Sequence, residues 1–229
     1  MPVNLAIFDG DGTISTIPNP FLLIASQLDC YQEVQELIAF YLQKQITYAE
    51  LIAGETQVFK RNVQKAFDRT WFKTILNQLP LEIYEDVAPT IAGLKQCGIE
   101  VVLISSGIAD IIAELAAQIG IQEWYANAIS YKEDLFEGFQ VHVTGDKIAA
   151  IQKVLQAKSI DPKHVMYLGD NEFDYEAMKY VLHQGGQAFA VSRNPNERMD
   201  FPEGVQIIHR LTDILDRLSM RGYCYVRGT

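Results

Sequence analysis

Basic charge is in short supply. Against 29 Asp and Glu, the 229 residues carry 19 Lys and Arg, a net charge of −10. So acidic a chain presents no basic surface for nonspecific nucleic-acid binding. It still admits a small anionic ligand, because a bound divalent cation inverts the local field. Cysteine is scarce as well: Cys30, Cys97 and Cys224 are far apart and odd in number. They offer neither a disulfide framework nor zinc spacing, and Cys30 and Cys97 are expected as packing residues. The four histidines, His142, His164, His183 and His209, show no i, i+4 metal spacing. No apolar run reaches the length of a membrane span, and no basic stretch precedes an apolar run at the start of the sequence. The expectation is a soluble, cytoplasmic protein with neither membrane nor nucleic acid as partner. No pattern fixes an oligomeric state.

What is present is enough apolar residue, 48%, for a substantial core. Leu5-Ala6-Ile7-Phe8 reads as a short buried strand. From about residue 17 to 80 the chain reads as consecutive helices. One begins at Phe21, and Val34, Leu37, Ile38, Tyr41 and Leu42 recur at helical spacing. Thr47 and Glu50 stand at capping-box spacing, and Val63, Ala66, Phe67, Thr70, Trp71 and Ile75 form a fourth stripe. The aromatics Phe59, Phe67, Trp71 and Phe72 read as core, with a pocket wall as the other option.

Beyond Pro80, helix and strand alternate. Helices are expected at 89–97, 108–119, 146–157, 172–180 and 211–218. Strands are expected at 100–104, 164–168, 188–191 and 205–208, with an antiparallel pair at 126–131 and 138–143 around a turn at 134–137. Such alternation predicts an α/β fold, a mostly parallel Rossmann-like sheet with helices on both faces. Residues 1–16 and 81–229 form its core domain, and the helical stretch 17–80 is an insert with a core of its own.

The richest motif is Asp9-Gly10-Asp11-Gly12-Thr13, directly after the first strand. Two carboxylates this close repel unless a cation or shared proton intervenes. The pattern suits a hard cation such as Mg²⁺ and an anion drawn to it. A calcium loop is excluded, since an EF-hand needs Gly at position six and Glu at position twelve, where Ile14 and Pro20 stand. An acidic turn is the bland alternative. Ligands of open parallel sheets bind beyond the carboxyl ends of the strands. There the apolar runs end in Asp9 and Asp11, in Ser105 and Ser106, and in Asp170 and Asp174; Lys147 begins a helix able to reach the same edge. A carboxylate nucleophile can take a phosphoryl group. Cationic and hydrogen-bonding partners stabilise the transferring oxygens.

In these motifs the chain resembles haloacid dehalogenase-superfamily phosphatases, most of all the phosphoserine-phosphatase-like branch. The family's Asp-x-Asp-Gly-Thr matches residues 9–13, its strand-Ser matches Ser105, its lysine matches Lys147, and its Gly-Asp-x-x-x-Asp matches Gly169 to Asp174. The resemblance implies Asp9 as nucleophile and Asp11 as acid/base. It implies a phosphate cradle of Ser105, Ser106, Gly107 and Lys147. Mg²⁺ would be held by Asp9, Asp11 and Asp170, with Asp174 acting on the metal's waters or orienting Lys147. The substrate would be a small phosphorylated metabolite, and the insert 17–80 would be a cap. An acid two residues after the nucleophile favours phosphoryl chemistry over dehalogenation. Phosphotransfer or mutase chemistry on the same residues, and a non-catalytic phosphate-binding protein, are the alternatives. Three departures stand out. The acid expected nine residues after the nucleophile is Pro18, residues 49–55 hold no arginine to grip a substrate carboxylate, and Phe173 replaces a common Asn. Ser105 is preferred over Ser106 because it directly follows the strand, and Arg193-Asn194 reads equally as substrate contact or as loop.

Overall fold

The computed structural model describes residues 2–17, 19–62, 68–78, 81–194 and 200–220. Seven strands form one sheet in the order β4-β3-β2-β1-β5-β6-β7. They are β1 (Leu5–Phe8), β2 (Glu100–Ile108), β3 (Trp124–Lys132), β4 (Leu135–Gln140), β5 (Val165–Gly169), β6 (Gln187–Val191) and β7 (Gln206–Ile208). Every pairing is parallel except β3 with β4. β1 is central because it is apolar on both faces. Ala6 and Phe8 enter one apolar cluster and Leu5 and Ile7 the other, as a period of two requires.

Helices cover both faces, as expected. α5 (Val87–Gln96), α6 (Ala109–Gln118) and α9 (Asp213–Met220) place Ile91, Leu94, Ile111, Leu115 and Ile214 in the Ala6 and Phe8 cluster. On the other side, α7 (Ile148–Lys158) and α8 (Tyr175–His183) bring Ile151, Val154, Met178 and Val181 to Leu5 and Ile7.

Between β1 and α5 lie α1 (Pro20–Gln27), α2 (Tyr31–Leu42), α3 (Tyr48–Asn62) and α4 (Arg69–Gln78). Asn19 caps α1, its Oδ1 accepting from Phe21 N and Leu22 N, with Pro20 at the first helical position. The Thr47 box forms as its spacing dictates: Thr47 N donates to Glu50 Oε2 at 2.7 Å and Glu50 N to Thr47 Oγ1 at 3.2 Å. Among the described residues the insert shows no separate core. Phe21, Ile24, Val34, Phe59 and Phe72 belong to the same cluster as Phe8 and Leu103. The helices therefore close over one face of the sheet. Val63, Ala66 and Phe67 of the fourth expected stripe lie outside the described residues, as does Pro18.

Three further expectations need correction. β2 runs on through Ser105, Ser106 and Gly107 to Ile108, with a register irregularity against β3 between Ile104 and Ile108. The hairpin turns at Glu133 and Asp134, both with positive φ, two residues earlier than expected. There the local turn geometry outweighs the apolar run Leu135-Phe136, which becomes strand. Cys97, expected as a packing thiol, is disulfide-bonded, whereas Cys30 is free and buried.

Candidate active site

The chain leaves β1 for β2 on one side and returns to β5 on the other, so β1 marks the point where strand order reverses. A crevice opens beyond its carboxyl end, where α/β sheets bind ligands. Asp9 is the first residue past β1. Its backbone N–H still donates to Leu168 O at 2.8 Å, which fixes the carboxylate at the sheet edge.

Lys147 enters from the opposite side and is 1% exposed. Its Nζ donates to Asp9 Oδ1 at 2.6 Å and to Asp174 Oδ1 at 2.5 Å. It is the residue before α7 rather than part of that helix, and its φ of 59° is left-handed. Such a conformation is costly for a side-chain-bearing residue and clusters at functional sites. Burial works to lower its pKa, but Asp174 and Asp9 outweigh it and hold it well above the ordinary lysine value. The ammonium is permanent.

Asp174 is fully buried and its hydrogen-bonding capacity is filled. Oδ1 accepts from Lys147 and from the Tyr167 hydroxyl, and Oδ2 from the backbone N–H groups of Asp170 and Asn171. These bonds make Asp174 the post that orients Lys147 and the β5 loop. Asp170 is oriented in turn by Thr13 Oγ1 at 2.7 Å and Asn171 Nδ2 at 3.2 Å. Gly12 sits at φ +80°, and a Cβ there would collide with the Asp170 carboxylate.

Asp11 points at β2. Ser105 Oγ donates to its Oδ2 at 2.9 Å, and its buried Oδ1 has no partner. Burial raises its pKa to about 6, against the opposing Ser105 hydrogen bond. The two serines differ in what they present. Ser105 presents its hydroxyl, while Ser106 offers its carbonyl oxygen to Tyr48 OH and Asn127 Nδ2. The Gly107 N–H is already taken by Ser105 Oγ at 2.9 Å. What Gly107 supplies is room, since a Cβ would collide with Asp11 Oδ2.

The acids share one imbalance. Burial drives Asp9 well above its ordinary pKa despite Lys147, and drives Asp170 to about 7 with Asp174 adding to it. Asp9, Asp11, Asp170 and Asp174 thus face one ammonium. Oxygens of Asp9, Asp170 and Asp174 lie within 4.8 Å of one another. All-oxygen donors, an excess of negative charge and the orphaned Asp11 Oδ1 fit a hard divalent cation. With Asp174 saturated, Asp9 and Asp170 are the carboxylates best placed to hold it.

Three features escaped sequence reasoning. Asn127, fully buried in β3, donates to Ser106 O, Val143 O and Tyr48 OH, and accepts from His142 N and Val143 N. Tyr48, at the start of α3, joins the helical insert to β2. Glu55 of α3 is buried and lines the same cavity as Asp9 and Asp11. A polar residue within an otherwise apolar helix stripe was the available signal for Glu55. Phe173 lines the cavity and stacks on Tyr41 of α2, ring centroids 5.5 Å apart, so this departure buys packing between loop and insert.

Three basic side chains, Arg193, Lys60 and Arg61, do not line the cavity. Arg193 pairs with Asp86, donates to Thr13 O at 2.9 Å and lies over the Tyr84 ring at 3.5 Å. It clamps the β1 loop rather than facing the cavity. Arg61 pairs with Glu33 on the surface, and neither it nor Lys60 lines the cavity.

The sequence from residue 3 to 181 matches the family model of haloacid dehalogenase-like hydrolases, and the chain belongs to that family. Among solved structures, it superposes on a substrate-bound phosphoserine phosphatase complex with a TM-score of 0.74 at 16% identity, covering 95% of this chain and 99% of that one. A phospho-aspartyl intermediate analogue of phosphoserine phosphatase gives 0.74 at 17% identity with the same coverage. A phosphoserine phosphatase from T. onnurineus in complex with NDSB-201 gives 0.68 at 16% identity, covering 95% of this chain and 94% of that one. These likenesses establish the fold. Comparison with curated protein sequences returns no match. Among the described residues, no helix is long and apolar enough to cross a membrane.

Proposed function

We propose that the protein is a Mg²⁺-dependent phosphatase of a small phosphomonoester, acting through an aspartyl-phosphate on Asp9. One observation carries the reading: Asp9, Asp11, Ser105 and Lys147 converge on one cavity at the strand-order switch, in a chain of this hydrolase family.

Asp9 attacks phosphorus and the ester oxygen leaves with the proton of Asp11. Asp11 suits this exchange because burial keeps its proton available near neutral pH. Lys147 holds a phosphoryl oxygen by charge, and the Ser105 hydroxyl, released from Asp11, holds another. Asp11, now a carboxylate, takes a proton from water as that water attacks the acyl phosphate, which restores Asp9 and frees inorganic phosphate. Held by Asp9 and Asp170, Mg²⁺ would neutralise carboxylate repulsion and charge on the phosphoryl group. The helical segment 17–80 would act as a cap that selects the ester's organic part.

Phosphate release from an aryl phosphate, with and without Mg²⁺, tests this in wild type and Asp9→Asn. Loss of at least about a thousandfold in the variant is expected, as for removal of a nucleophile. Equal activity in the two proteins would rule out Asp9.

A further inference from the structure

The cavity beside Asp9 lies between the sheet edge and the helical segment. Its two sides differ. The sheet side supplies Asp9, Asp11, Ser105 and Lys147, the groups already assigned to phosphate and metal. The helical side is mostly apolar and aromatic, with Phe21, Ile38, Leu51, Ile52 and Tyr48; its polar exceptions are Asn19, whose Oδ1 caps α1, and Glu55.

Glu55 is 1% exposed, and its Oε2 has no hydrogen-bond partner. Buried polar groups are otherwise almost always satisfied, so an orphan in a cavity wall points to a missing donor. None of the described residues supplies one. The one cation among the described lining residues is Lys147, held by Asp9 and Asp174. Burial alone sets the ionisation of Glu55, raising it to about 8 with no neighbouring cation to offset it. Tyr48, the titratable group beside it, is pushed up too, first by burial and then by Glu55, and its hydroxyl is directed to Ser106 O.

We propose that Glu55 is a specificity-determining residue that receives an ammonium group on the substrate, so that the natural ester is an aminoalkyl phosphate without a carboxylate. Charge complementarity carries the choice. An ammonium would meet a carboxylate in a low-dielectric wall, where charge-assisted hydrogen bonds are strongest. The aromatic rings of Phe21, Tyr48 and Phe173 suit a cation's flanking CH₂ groups. A substrate carboxylate would find no free cation among the described residues on this side and would lie near Glu55. The inference rests on the phosphatase reading for the position of the phosphate, and on Glu55 for everything else.

Non-hydrolysable ligands separate the two. Binding of 2-aminoethylphosphonate, propylphosphonate and 3-phosphonopropionate is measured by calorimetry with Mg²⁺ present, in wild type and Glu55→Gln. The amine is expected to bind about tenfold or more tighter than its propyl isostere, with the carboxylate weakest, and the variant to bring the amine-to-propyl ratio close to one. Should the variant fail to fold, the wild-type ranking decides alone. A ranking with either competitor at or above the amine, no binding of any of the three, or a ratio unchanged in Glu55→Gln overturns the assignment. Aryl phosphate hydrolysis that survives Asp9→Asn would sink the reaction and leave the ranking standing.

Discussion

Glu55 has a consequence for stability that does not depend on any ligand. Its native pKa of about 8 lies above the ordinary 4.5, so the folded protein binds this proton more tightly than the unfolded chain. The protonated carboxyl's contribution is fully present below pH 4.5 and is lost as pH rises through about 8. The whole effect is on the order of 4 kcal/mol. Glu55→Gln should therefore gain stability on wild type between pH 5 and pH 9, as read by urea unfolding of the ligand-free proteins. Parallel pH profiles for the two would show that Glu55 is solvated or paired. Lys147 illustrates the opposite arrangement. Its two carboxylate partners hold it well above the ordinary lysine value, so in the proposed reaction it would serve as fixed charge and Asp11 as the exchangeable proton.

At the scale of elements, the site depends on how β2 ends. The strand continues through both serines, and Asn127 of β3 holds its irregular stretch by bonding Ser106 O while accepting from His142 N and Val143 N. Asn127→Ala would leave the buried Val143 N–H unpaired, at about 1–3 kcal/mol, and would remove a partner from His142 N and from Ser106 O, which keeps Tyr48 OH. A loss of roughly 2–4 kcal/mol in denaturant unfolding is expected, together with weaker phosphate binding as Ser105 loses its support. A variant as stable as wild type would argue that water replaces the amide. The parallel core was legible because each strand and helix carries its own period; Asp9, Asp11, Ser105 and Asp170 were legible because they follow apolar runs, and Lys147 because it stands at the start of a helix. Asn127 was not, since its partners are backbone groups of residues 106, 142 and 143, which no side-chain pattern announces. The β3–β4 turn was misplaced because a two-residue turn at Glu133 and Asp134 carries none of the usual Gly or Asn. The insert's shared core was hidden too, since periodicity shows that a helix has an apolar face and not what covers it.

For the molecule as a whole, four acids around one ammonium make the apo site a repulsive centre in a chain that already carries −10. A cation bound there should stabilise the native state by mass action, about 2.7 kcal/mol at a hundredfold excess over Kd. Mg²⁺ should thus raise Tm by roughly 2–4 °C per kcal/mol for a domain of this size, and a chelator should reverse it. Asp170→Asn should lose the shift. An identical response in that variant would move the cation elsewhere. The central place of β1 has an effect on how the chain is made. Leu5 to Phe8 pair with residues 100–103 on one flank and 165–168 on the other. During synthesis, β1 must wait until residues 100–103 of β2 are made before its first flank exists. Its apolar side chains are a natural client for chaperones in that interval.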